Sequence, residues 1–316
     1  MSSAVNLEGR TAVVTGAGAG LGRSEALALA GRGADVVVND TGPAAEEVAE
    51  QIRATGCSAV TVRGDVGEWA MGEKLVRTAV DELGGLDIVV NNAGITRDRM
   101  LFNLSEQDWD DVIRVHLKGH AALSRAAGAY WREESKRTGG PVYARLVNTS
   151  SEAFLFGGAG QPNYSAAKAG ITALTLSAAQ GLAKYGVRAN AICPRARTGM
   201  TADVFAGRED GADAAGGAGT DILSPDRVGT FVSYLASPEA EAISGQVFVV
   251  YGDMVAVMAA PEVEQTFISA GGVFTPEELA GELGPYFAGR DPRKGYAAYG
   301  VAELDTTGVG NSAAPR

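Results

Sequence analysis

The sequence predicts an α/β fold: a doubly wound parallel sheet of about seven strands with helices on both faces. Three observations predict it. Short β-branched runs recur along the chain, and helical patterns lie between consecutive runs. Most of the runs are continuously apolar, as strands covered on both faces are. Strict alternation of strand and helix then implies right-handed crossovers and a parallel sheet.

The predicted strands are Thr11–Thr15, Asp35–Asn39, Ala59–Val62, Asp87–Asn91, Tyr143–Asn148, Val187–Cys193 and Gln246–Val250. Between them, helices are predicted over Leu21–Arg32, Ala44–Ala54, Met71–Leu83, Gln107–Arg132, Asn163–Lys184 and Pro225–Leu235. Two segments break the rhythm. Val204–Thr220 is rich in Gly, Ala and Asp and reads as a mobile loop. After Tyr251 the pattern changes again. The expected division is therefore one α/β domain over 1–260 and an appendage over 261–316. The appendage carries a helical signal at Pro276–Leu283 and ends in a Gly/Ala/Pro tail whose last ten residues read as disordered.

Composition narrows the function classes. The chain has 316 residues, 46% hydrophobic and 21% charged, enough for an ample core. Its formal net charge of −11 makes it a poor partner for nucleic acid or an anionic membrane. No run approaches the ~18 apolar residues of a membrane span, and no basic-then-apolar leader is seen. Two cysteines, Cys57 and Cys193, suggest neither a disulfide framework nor a thiolate metal site, so a reducing, cytoplasmic location is expected. His116 and His120 stand four apart, but no further ligand completes a zinc site, and no metal is expected.

The first strand runs straight into Thr15-Gly16-Ala17-Gly18-Ala19-Gly20-Leu21-Gly22, and a helix follows. Glycines there let the backbone approach a pyrophosphate, and the helix N-terminus supplies N–H groups and positive dipole. This is the Rossmann-type dinucleotide turn, with strand, turn and helix in register. Asp40 closes the second strand, 18 residues after Gly22. A carboxylate there accepts hydrogen bonds from ribose hydroxyls and repels a 2′-phosphate, so NAD is expected over NADP.

Tyr164-Ser165-Ala166-Ala167-Lys168 puts a phenol and an amine on one helix face. A free tyrosine, with a pKa of ~10, is a weak base at neutral pH, and a nearby ammonium favours its phenolate. The pair suits proton exchange with an alcohol or ketone. Ser151 lies 13 residues earlier, at the end of a predicted strand, where its hydroxyl would hold a substrate oxygen; Ser150 is the competing choice.

Together these motifs resemble the short-chain dehydrogenase/reductase family over residues 5–255: the glycine turn, Asp65-Val66, Asn91-Asn92-Ala93-Gly94, Ser151, and Tyr164 through Lys168. The resemblance implies Tyr164 as acid/base, Lys168 as its tuner and ribose ligand, and Ser151 as the group that orients substrate. It also implies Asp65, Val66, Asn92, Ala93 and Gly94 near the adenosine and nicotinamide ribose, with Pro194 and Thr198 at the nicotinamide. Asn91 through Arg99, Trp109-Asp110, Arg114 through Gly119 and Gly160 through Lys168 are similar to the (3R)-hydroxyacyl-CoA dehydrogenase subgroup of peroxisomal multifunctional β-oxidation enzymes, some of whose relatives handle steroids.

Three departures stand out. His116 replaces an asparagine that many members use to hold a relay water, which makes the imidazole a further catalytic candidate. Pro194-Arg195 replaces Pro-Gly, and Glu152 follows Ser151 where small residues are common. Arg97, Arg99, Arg195 and Arg197 all fall in loops after predicted strands and are expected to form a positive patch for CoA phosphates. Small-residue faces on the two long helices suggest a homodimer or homotetramer. The expected activity is NAD-dependent interconversion of a secondary alcohol and ketone on a 3-hydroxyacyl-CoA, including steroid-bearing ones. A 3-oxoacyl-carrier-protein reductase or a hydroxysteroid dehydrogenase is the alternative, and a catalytically silent NAD-binding protein is the alternative of another class.

Overall fold

In the computed structural model, residues 5–199, 221–291 and 295–304 are described. The expected loop Val204–Thr220 and the last ten residues lie outside them. The element order is β1 (Thr11–Thr15), α1 (Gly20–Ala30), β2 (Asp35–Asp40), α2 (Ala44–Ala54), β3 (Ala59–Arg63), α3 (Trp69–Leu83) and β4 (Ile88–Asn91). There follow α4 (Glu106–Ile113), a π-helical turn (Arg114–Lys118), α5 (Gly119–Thr138), β5 (Ala144–Thr149), α6 (Ala153–Phe156) and α7 (Pro162–Leu182). The chain continues through β6 (Val187–Arg195), α8 (Pro225–Leu235), β7 (Val247–Tyr251), β8 (Met254–Val257) and α9 (Pro276–Ala288).

The sheet order is β3-β2-β1-β4-β5-β6-β7-β8. The first seven strands are parallel, and β8 pairs antiparallel with β7. Alternation along each strand divides the core. Val14, Val38, Ile88 and Ile192 pack with α1, α2 and α8 on one face. Val13, Val37, Val89 and Leu146 pack with α3, α5 and α7 on the other. Strand order reverses between β1 and β4, so their carboxyl ends open a crevice at the topological switch point.

Two expectations need correction. The single helix over Gln107–Arg132 is interrupted by the π turn, whose wider winding separates α4 from α5 and carries Arg114 and buried His116. The sheet has an eighth strand. Tyr251-Gly252-Asp253-Met254 makes a tight reversal, with Gly252 at φ +57°, and Met254–Val257 then covers the β7 edge. A Gly-Asp pair is a hairpin signal, but the strand after it is short and half exposed, so it carries little apolar pattern. Beyond it, α9 starts at a capping box of Thr275 and Glu278 and buries none of its residues. The chain returns to the main body at Ala298, whose N–H donates to the Leu155 carbonyl at 2.8 Å. Val301 packs there against Cys193 and Val249.

Close packing of α3 on α5 gives a direct test. A Cβ on Gly72 would lie 2.5 Å from the Ala122 carbonyl oxygen, whereas nothing stands within 4 Å of a Cβ on Gly181 in α7. Gly72→Ala is expected to lower stability by about 1–3 kcal/mol through overpacking. Gly181→Ala should raise it by roughly 0.5–1 kcal/mol, since alanine is the better helix former. Urea denaturation of the two variants checks the opposite signs.

Candidate active site

The turn between β1 and α1 is shaped to admit a phosphate. Gly16 and Gly20 have φ of +64° and +54°, conformations that side chains disfavour. A Cβ on Gly22 would lie 2.3 Å from the Gly16 carbonyl oxygen, and one on Gly18 would lie 3.0 Å from the Asp40 carboxylate. Ala19 leaves the N-terminus of α1 without a side-chain cap, so its first N–H groups are free for an anion. Thr15 and Asn92 brace the turn. The Asn92 amide donates to the Thr15 carbonyl, and the Thr15 hydroxyl accepts from the Asn92 and Ala93 backbone N–H groups.

Two adjoining cavities line this crevice. The first is bordered by Asp40, Asp65, Val66, Arg97 and Arg114; the second by Leu21, Ser151, Tyr164, Lys168, Pro194 and Thr198. Gly16, Asp40, Ala93 and Gly94 belong to both. Asp40 is held at the join, its two oxygens accepting from the Gly18 and Gly42 N–H groups. The predicted dinucleotide residues thus converge, and a cradle that a Cβ would fill fits an extended dinucleotide.

Arg114 is a member of the first cavity that sequence reasoning gave no role. Its Nη1 lies 2.6 Å from Asp65 Oδ2, and Gly67 N–H donates to the other oxygen. Burial pushes the Asp65 carboxyl up, but these bonds outweigh it and hold the group below its usual range. Arg114 opens the π turn, and its partner Asp65 stands 49 positions earlier, a tertiary contact that spacing in the sequence does not foresee.

The reacting end is built by β5, α7 and the π turn. Ser150 is committed to the fold, its hydroxyl buried between the Lys168 carbonyl and the Thr172 hydroxyl. Ser151 lines the cavity with Tyr164, its hydroxyl accepting from the Ala153 N–H at 3.2 Å. Lys168 is 2% exposed, with Nζ 2.6 Å from the Thr149 carbonyl oxygen and 5.3 Å from the centre of the Tyr164 ring. Burial pulls its pKa down to about 7. Burial pushes Tyr164 up to about 12, opposed by the Ser151 side chain. Lys168 is not among the groups that shift the phenol, so the expected lowering by its ammonium is not seen in the protein alone.

His116 is fully interior. Its Nε2 stands 2.7 Å from the Ile95 carbonyl oxygen, its Nδ1 has no partner, and its ring meets the Tyr164 ring edge-on at 5.2 Å. Burial, then repulsion from Lys168, keeps it neutral. Gly94 makes room for it, since a Cβ there would lie 2.3 Å from His116 Cε1. That pairing explains how an imidazole fits at the position.

The four loop arginines do not form one patch. Arg97 and Arg99 remain near the mouth, loosely paired with Asp111 at 3.9 Å and Asp108 at 3.8 Å. Arg197 stands 3.9 Å from Asp221. Arg195 departs from the expectation. It points inward and forks onto Glu152 with contacts of 2.6 and 2.7 Å, so its charge is already neutralised away from any CoA phosphate. Among the described residues no group of three or more His, Cys, Asp or Glu side chains could hold a metal. No helix of the described chain is long and apolar enough to cross a membrane.

Residues 10–209 match the model of the short chain dehydrogenase family. The chain belongs to the short-chain dehydrogenase family. Members are oxidoreductases that act on CH–OH groups with NAD(P). Similar curated proteins include hydroxyacyl-CoA dehydrogenase ChsB1 of Mycobacterium tuberculosis, 55% identical over 304 residues and 94% of each chain. The peroxisomal multifunctional enzyme type 2 of Mus musculus is 40% identical over 78% of this chain and 32% of its own length. A crystal structure of a short chain dehydrogenase from Mycobacterium avium superposes with a TM-score of 0.78 at 42% identity, covering 90% of this chain and 96% of that one.

Glu25, on α1, is a buried group that no family motif marks. Both its carboxyl oxygens lack a hydrogen-bond partner, and burial, only partly offset by Lys168, raises its pKa to about 8. The folded pKa lies above the unfolded one, so between pH ~4.5 and ~8 the native state binds the extra proton. Stability is therefore lost as pH rises through that window. Glu25→Gln removes this loss. The variant should gain on the wild type from pH ~4.5 to ~8 and hold that gain above, as followed by urea denaturation across pH.

Proposed function

We propose that this protein is an NAD-dependent 3-hydroxyacyl-CoA dehydrogenase of fatty-acid or steroid side-chain β-oxidation. The observation that carries the reading is the convergence of Ser151, Tyr164 and Lys168 beside the glycine turn, in a chain similar along its length to a hydroxyacyl-CoA dehydrogenase. The bound dinucleotide supplies the hydride acceptor. Tyr164 takes the hydroxyl proton as the carbon-bound hydrogen leaves as hydride, and in the reverse direction it returns that proton to the ketone oxygen. Ser151, lining the same cavity as Tyr164, holds the reacting oxygen. Lys168 has two N–H donors beyond the one given to Thr149, enough for ribose hydroxyls, and its ammonium favours the phenolate. His116 packs beneath the phenol ring as a neutral group and keeps that end of the site dry.

Asp40 is the reason for choosing NAD. Two backbone N–H groups fix its carboxylate facing the join of the cavities, where an adenosine ribose would lie. Arg97, Arg99 and Arg197, each only loosely paired with an aspartate at 3.8–3.9 Å, are the remaining loop arginines suited to CoA phosphates. The working unit is a homodimer or homotetramer. Exposed Leu101 and Phe102, at 70% and 80%, stand beside α4 as an apolar surface for a second copy.

Two measurements test this. Initial rates of NADH formation should show turnover of a 3-hydroxyacyl-CoA in preference to a free hydroxysteroid. Tyr164→Phe should lose on the order of 10²–10⁴ in kcat with little change in NADH binding. Turnover of the free steroid alone would move the protein to hydroxysteroid metabolism. Separately, Asp40→Ser should raise KM for NAD by about tenfold to a hundredfold, the worth of a charge-assisted hydrogen bond. It should also narrow the gap to NADP. An unchanged NAD/NADP ratio would show that Asp40 does not select the cofactor.

A further inference from the structure

Glu152 directly follows the serine of the site, and Arg195 directly follows Pro194 at its opposite wall. Their side chains meet in a two-point ion pair, Nε to Oε2 at 2.6 Å and Nη2 to Oε1 at 2.7 Å, with only 14% and 11% exposure. The remaining guanidinium donors turn to the C-terminal segment. Nη1 donates to the Leu304 carbonyl at 2.7 Å, and Nη2 donates to that of Val301. The Tyr251 ring stands 5.2 Å from the guanidinium carbon. Val301 is 7% exposed, packed on Cys193 and Val249, with Phe154 and Leu155 of the serine-bearing segment alongside. Ala298 N–H completes the seam by donating to Leu155. One buried cation thus ties together three separate stretches of chain.

We propose that Glu152 and Arg195 are positioning residues. They form a clasp through which the C-terminal segment 298–304 sets the Ser151 segment against the Pro194–Thr198 wall. This rests on the functional reading above. A largely buried ion pair whose guanidinium also meets backbone carbonyls is costly to break from one side, and small displacements of a reacting group cost rate steeply. The clasp also balances charge. Burial first and the Glu152 carboxylate second push the Cys193 thiol up, and Glu152 directly follows the serine that lines the cavity with Tyr164. The phenol is further faced by Lys168 on its own helix, neutral His116 from the π turn, Cys193 from β6 and Asp98 from the loop after β4. Arg195 is the counter-charge that keeps Glu152 from adding to the anionic side of that set.

The test compares Arg195→Met, Glu152→Gln and the double variant in full-length protein, reading alcohol oxidation against pH. The active base is the phenolate, so an uncompensated carboxylate in Arg195→Met should move the midpoint of the pH profile to higher pH. An uncompensated guanidinium in Glu152→Gln should move it lower. Each shift should be about half a unit or more. Arg195→Met should also lose about tenfold or more in kcat with a smaller change in KM for NAD, and the double variant should return toward the wild-type midpoint. Shifts of one sign in both single variants, or no recovery in the double, would overturn the proposal. Amide hydrogen exchange decides the clasp without turnover. Arg195→Met should lose protection at Ala153 and Ala298 together, and loss at Ala298 alone would overturn it. A wild type inactive on every alcohol tested would condemn the functional reading, while the exchange result would still decide the clasp.

Discussion

The ammonium of Lys168 sets the terms for everything around it. It is interior, and within the protein it is held by a single carbonyl, that of Thr149 at the end of β5. A cation placed there repels other cations. His116 and His120 are both kept neutral, by their burial first and by Lys168 second, His120 down to about 3. The same cation supports acidic groups. It acts to lower both Glu25 on α1 and Cys193 on β6, although burial still leaves each of them raised. The site is thus a desolvated region with one polarising centre, in which the phenol of Tyr164 is the group free to exchange a proton with a ligand. Such an arrangement gains its force from low dielectric and is poorly stabilised without a bound partner.

That region exists because the backbone around it is tightly specified. Thr15 and Asn92 bind the ends of β1 and β4 to each other, and the absence of side chains at Gly16 and Gly22 lets those ends close to contact distance. Behind them, the buried Asn91 amide donates to the Asn148 side-chain carbonyl and to the Ser124 hydroxyl, and the Asn148 amide donates to the Thr175 hydroxyl, so the strand ends are also fixed from the α5 and α7 side. Polar groups are used here where an apolar core would pack as well, and each is satisfied. Of the unsatisfied buried polar groups among the described residues, Glu25, His116 Nδ1, His120 Nε2 and Thr149 Oγ1 belong to residues around the lysine, whereas Asn39 Oδ1, Thr61 Oγ1 and Arg290 Nε stand on β2, on β3 and after α9. Orphaned buried polar atoms are uncommon in folded proteins, and their concentration at one place marks where the fold has been shaped for something other than stability.

Much of this was legible in the sequence, and the reasons are specific. Periodicity carries the parallel strands, because burial on both faces leaves continuous apolar runs, and the ends of the predicted elements fall within two residues of those observed outside α4, α5 and α9, which runs five residues beyond its predicted end. The glycine turn and the Tyr–Lys pair are local spacings, and local spacings survive folding. What was not legible depends on contacts between distant residues or on backbone irregularity. A π turn has no compositional mark, and Arg114 gave no sign of meeting Asp65. Arg195 looked like one loop arginine among four. Its neutralisation by Glu152, 43 positions earlier, and its capping by carbonyls more than a hundred positions later are facts of tertiary structure alone. Ser150 and Ser151 are equivalent in sequence and are separated only by which hydroxyl the strand end turns inward.

The departures from the family pattern are coupled rather than independent. An imidazole in place of a smaller amide requires Gly94 to lack a Cβ, and Gly94 does. An arginine in place of glycine after Pro194 would bury a bare charge, and Glu152 is the carboxylate within reach. That pair would still leave guanidinium donors unmet, and the backbone of Val301 and Leu304 meets two of them. Each substitution is tolerable only with its neighbour, so the C-terminal segment belongs to the same physical unit as the catalytic loops even though it lies more than a hundred residues away in the chain. A relative lacking the arginine has no electrostatic reason to hold such a segment in place, and a chain carrying it has no room to discard one.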